Sequence, residues 1–105
     1  MKSKPELWIG LVEFKPLDRG AYGAAGAFAN VITWACNSAE FRRKAEAIAI
    51  AMNLYVANIE EEEPFGIRAT KWTVPEEIED LVSQAKLNPN AILYGTFHRY
   101  PFNEA

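Results

Sequence analysis

The chain has 105 residues, 50% of them apolar, 12% aromatic and 24% charged, with a net charge of -3. That composition describes one soluble globular domain over residues 1–105 and excludes a disordered tail. The acidic balance argues against a phosphate-backbone binder, so no nucleic acid is expected; one cysteine excludes an internal disulfide and any multi-cysteine metal site.

Residues 1–6 read as a polar N-terminal tail and residues 101–105 as a C-terminal tail. No stretch has the length and apolarity of a signal segment or a membrane span. A reduced, cytoplasmic protein with no membrane partner is the expectation. Leu7 to Phe14 is a short apolar run closed by Pro16 and Gly20, which favours a strand. Gly20, Gly23 and Gly26 then space a loop with Tyr22 at its tip, before a second run from Ala27 to Cys36. One face of that run carries Phe28, Asn30, Ile32, Trp34 and Cys36; the other carries Ala27, Ala29, Val31, Thr33 and Ala35. The small-residue face lets a helix approach closely.

Asn37 can cap the first helix, with Glu40 at capping-box spacing and Cys36 with Phe41 as a hydrophobic staple. Phe41, Ala45, Ile48, Ala49 and Met52 follow helical periodicity, and Asn53 suits a left-handed stop. Leu54 to Glu61 reads as a strand, and Ile67 to Trp72 as a polar return strand at an edge. A second helix is expected from a Thr73 cap with Glu76, carrying Ile78, Leu81, Val82 and Ala85, until Asn88-Pro89-Asn90. Ala91 to Tyr100 reads as the last strand.

The order predicts an α+β fold of ferredoxin-like split βαβ type (βαββαβ) with an additional N-terminal strand. Right-handed crossovers would put both helices on one face of a mostly antiparallel sheet. The other face would then expose Phe28, Ile32 and Trp34, a patch that signals a partner, a ligand or a covering loop.

Cys36 reads as a buried staple cysteine, because His98, the sole histidine, is expected opposite Phe28 at the far end of the strand. His98 would share a face with Tyr94 and Tyr100, either as a hydrogen-bonded surface group or as an acid or base in a pocket. Glu60, Glu61, Glu62 and Glu63 alternate faces too strictly to converge on a metal. They read as a solvated strand end near Arg42, Arg43, Arg68 or Lys71, or as an acidic contact edge for a basic protein. The glycine loop lacks the lysine and following helix of a phosphate loop.

Asn30-Val31-Ile32-Thr33-Trp34-Ala35, the capped helix with Phe41, Val56-Ala57-Asn58-Ile59-Glu60 running into Glu63-Pro64, and Tyr94 to Tyr100 resemble small uncharacterised bacterial ferredoxin-like domains. Some of those are associated with toxin-immunity or secretion loci. The resemblance implies the fold and supplies no catalytic residue. Two functions are therefore expected as alternatives, neither with a cofactor or metal. One is a non-catalytic interaction module, a homodimer through the open sheet face, immunity- or adaptor-like. The other is a small-molecule binder or cofactor-free enzyme with a pocket between that face and the 20–26 loop, lined by Trp34, Tyr94, His98 and Tyr22.

Overall fold

The two longest apolar runs become the inner strands of an open, five-stranded antiparallel sheet. A computed structural model describes residues 4–102, with Arg19 described by its backbone alone; the tail residues 1–3 and 103–105 lie outside the described residues. The elements are β1 (Glu6–Pro16), α1 (Arg19–Tyr22), β2 (Gly26–Ala35), α2 (Ser38–Ala51), β3 (Leu54–Pro64), α3 (Phe65–Lys71), α4 (Glu76–Leu87), β4 (Ile92–Tyr94) and β5 (His98–Tyr100). The sheet order is β3-β1-β2-β4, with β5 also paired to β2.

α2 starts as its sequence predicts. The Asn37 side chain accepts from Glu40 N at 2.8 Å, and the Glu40 carboxylate accepts from Cys36 N at 2.9 Å. Asn53, at φ 62°, turns the chain into β3. Phe41, Ala45 and Ala49 bury against Val12, Phe14, Ala29, Val31 and Ala35, so the small face of β2 does receive this helix. β2, α2 and β3 form a split βαβ unit: β1 lies between the two strands and is antiparallel to both.

The rest of the connectivity departs from βαββαβ. Residues 67–71 lie within helix α3 rather than in a strand, and the inner place such a strand would fill is held by β1. β1 belongs there because both its faces are apolar: Leu7 and Ile9 on one side, Trp8, Val12 and Phe14 on the other.

The second helix also lies elsewhere than expected. α4 packs on the opposite sheet face, where Ile78, Val82 and Ala85 bury against Leu7, Ile9 and Ile32. β3 and β4 run antiparallel, and the right-handed crossover rule constrains only parallel connections. With α3 helical, nothing in the topology requires both helices to share a face, and the chain makes helical layers on both sides. The Thr73 cap is not used either: α4 begins after Pro75 without a side-chain cap bond, and Glu76, Glu77 and Glu79 supply the acidic first turn. Among the described residues, no helix is long and apolar enough to cross a membrane.

Candidate functional site

α4 covers only part of its sheet face. Ile32 is fully buried beneath it, and the Trp34 indole Nε1 donates to Ala85 O at 2.8 Å. The patch of Phe28, Ile32 and Trp34 is therefore not an open surface: Ile32 is core and Trp34 is a strut for α4. Phe28, farther along β2, remains half-buried. It shares an uncovered half-face with Leu11, Glu13, Lys15, Asn30, Tyr55, Asn58 and Tyr100, as the strand register dictates.

At the centre of this half-face Tyr100 donates its hydroxyl to the Glu13 carboxylate, and its ring tilts against Phe28 at 5.5 Å. Gly26, paired with Tyr100, makes room: a Cβ there would meet the Tyr100 hydroxyl and would stand 2.7 Å from the Phe14 carbonyl oxygen. Burial first, then the hydrogen bond to Glu13 and the charge of that carboxylate, push the Tyr100 hydroxyl up to about 12. The folded state thus favours the neutral phenol. Its contribution to stability is complete below the ordinary tyrosine value of about 10 and disappears as pH rises through about 12. An absorbance titration of the native protein is expected to show a phenol ionising near pH 12 that Tyr100→Phe lacks. Wild-type unfolding free energy is expected to fall relative to Tyr100→Phe above pH about 10, by at most about 2–3 kcal/mol. A constant difference between the two from pH about 8 to about 12 would contradict that burial.

Beside the half-face lies a cavity of about 210 Å³. Ile9, Asn30 and Glu61 form its floor; Phe65, Arg68 and Trp72 form one wall, and Val74, Pro75 and Ile78 the other. Phe65, Arg68 and Trp72 reach it together because they recur at helical spacing on and after α3. α3 itself buries no residue. It is held to β3 by Glu63, whose carboxylate takes both Arg68 and Lys71, while Arg68 Nη2 also donates to Glu61 O at 2.7 Å. The Lys71 ammonium and then the Arg68 guanidinium hold the Glu63 carboxyl below the usual carboxylate range. Trp72 stands at the rim, 66% exposed.

The four glutamates separate, but a bulge rather than strict alternation sets their facing, so Glu60 and Glu62, which alternation would put on one face, point to opposite ones. Glu61 adopts φ 56°, so Glu61 and Glu62 together oppose Gly10. Glu62 turns to the α2 face, accepting from Ser38 and Arg42. Burial works against its charge, but these donors outweigh it and hold the carboxyl below its usual range. Glu63 turns to α3, and Glu60 and Glu61 stay exposed. Among the described residues, no group of three or more His, Cys, Asp or Glu could hold a metal ion.

The residues expected to line a pocket do not meet. Tyr22 belongs to the short helix α1, which Asp18 caps and Gly23 (φ 77°) ends. Its ring packs against the α2 core beneath the Arg99 guanidinium, so the glycine loop is no lid over the other face. Tyr94 also lies on the α2 side, edge-on to Phe97, which stacks on Phe14. The expected strand over 91–100 is broken. Between the pairs Val31–Tyr94 and Phe28–His98, three residues oppose two, and the extra one reverses facing. His98 therefore shares a face with Phe28 and Tyr100 but not with Tyr94. Its register opposite Phe28 is the expected one, and it is exposed. Cys36 lies beyond the other end of β2, past Ala35, itself seven positions or roughly 23 Å from Phe28, beside Glu40 and Lys44. Cysteine and histidine cannot form a dyad.

Glu13, Asn30, Tyr55, Arg68 and Trp72 were not legible as site residues. A local signal existed for two of them, the helical spacing of Phe65, Arg68 and Trp72. The Glu13–Tyr100 pair spans 87 positions and has no local signature. The geometry defines an α+β domain with one covered sheet face and one half-covered face. Comparisons with family models, curated proteins and solved structures find no match for this chain.

Proposed function

We propose that this is a non-catalytic interaction domain that forms a homodimer through its uncovered half-face. The observation carrying this reading is the half-face itself: Phe28, Tyr55 and Tyr100 without a helix above them, beside a small cavity with an exposed tryptophan at its rim. Aromatic residues around a small cavity are the usual anchors of protein contacts. This cavity, at about 210 Å³, is smaller than the roughly 300 Å³ of a pocket that buries a drug-sized ligand. The immunity- or adaptor-like role belongs to this reading, in a reducing cytoplasmic setting suited to a free cysteine.

Light scattering after size exclusion tests it. The expected mass is twice 11.8 kDa over a range of concentrations. Tyr55→Lys, at an exposed position in the patch, is expected to yield a folded monomer whose thermal midpoint is lower than the wild type's and independent of protein concentration. A wild-type monomer at every concentration overturns the dimer.

A further inference from the structure

Beyond the half-face, the sheet has a second unpartnered surface, its β3 edge. β3 runs eleven residues and, among the described residues, pairs only with β1, so its outward backbone groups have no strand beside them, although Glu61 O accepts from Arg68. Ala57, Asn58, Glu60 and Glu61 along it are all exposed. The opposite edge offers no equivalent, being cut into β4 and β5 of three residues each. Long edges of this kind invite strand addition unless something blocks them.

Charge decides which strand fits. Arg42 neutralises Glu62 and Arg68 with Lys71 neutralises Glu63, whereas no cation among the described residues pairs with Glu60 or Glu61. A second β3 would bring four more carboxylates to this edge. A basic chain escapes that repulsion.

We infer that the β3 edge receives an extended, lysine- or arginine-rich segment of another protein, which joins the sheet as a sixth strand. Backbone hydrogen bonds to β3 supply the attachment, and alternate basic side chains meet Glu60 and Glu61. Because these two carboxylates hold no other cation among the described residues, no ion pair there has to break when the chain binds.

The probe is a labelled synthetic peptide of about ten residues alternating lysine with valine and threonine, followed by fluorescence anisotropy. Binding is expected to weaken at least about tenfold for Glu60→Lys/Glu61→Lys, which breaks no ion pair among the described residues and only a 3.4 Å hydrogen bond from Asn58 Nδ2 to Glu60. Methylating alternate peptide amides is expected to abolish it, and amide shifts are expected along 54–61. Equal binding of the methylated peptide overturns the inference, since charge alone would then suffice. So does absence of binding by the wild type at about 1 mM peptide and low salt. Peptide binding is expected whether light scattering finds the wild-type protein monomeric or dimeric, which separates this result from the fate of the dimer.

Discussion

Phe41→Ala is expected to cost about 3–5 kcal/mol, seen as a lower urea midpoint with an unchanged slope. Phe41 is fully buried at the first turn of α2 and stacks on Trp8 at 6.3 Å. Its ring also fills the space over Gly10, where a Cβ would stand 2.8 Å from Phe41 Cε1 and 3.2 Å from Glu62 Cβ. Glycine is required at position 10 because α2 presses an aromatic ring onto the sheet there. Gly10→Ala is accordingly expected to cost about 1–3 kcal/mol through overpacking. The double variant is the sharper experiment. Removing the ring removes the collision, so Gly10→Ala/Phe41→Ala should destabilise less than the two single changes added together. Additivity would mean that the ring does not rest on Gly10. Against a domain stability of about 5–15 kcal/mol, Phe41→Ala alone removes a large share.

Trp34→Ala is expected to cost about 2–4 kcal/mol and to release α4 in particular. The estimate lies below that for a fully buried tryptophan, because Trp34 is half-buried. Its indole supplies both apolar area against α4 and a hydrogen bond to the Ala85 carbonyl. Hydrogen exchange is the suitable measurement: amides of α4 should lose protection while those of α2 keep it. Trp34→Phe keeps most of the area and drops the donor, so a cost near 1 kcal/mol is expected. If Trp34→Ala left α4 protection intact, tryptophan would have a role other than holding that helix.

That second prediction marks where reading the chain locally stopped short. The faces of β2 follow from strict alternation, so the small face under α2 was legible, as were the cap at Asn37 and the stop at Asn53. The register of His98 opposite Phe28 also followed from pairing β2 with the last strand. Residues 67–72 misled because Ile67, Thr70 and Trp72 have strand propensity, whereas α3 is set by tertiary contacts, the Glu63 clamp above all. Composition held a warning. The third strand of a ferredoxin-like sheet is an inner one, and a segment with Arg68, Thr70 and Lys71 is too polar for burial on both faces. The N-terminal run Leu7 to Phe14 is not.

The chain read locally establishes the α+β class, the two faces of β2 and the boundaries of α2. These depend on periodicity and capping, which act within a few residues. The face that α4 covers is set by the folded sheet alone, since the connection from β3 to β4 joins antiparallel strands and the crossover rule does not apply. The folded sheet alone set the facing of His98 and Tyr94, because one extra residue in a strand reverses every side chain beyond it. It alone brought Glu13 to Tyr100, since a contact between opposite ends of the chain exists only once the sheet has closed.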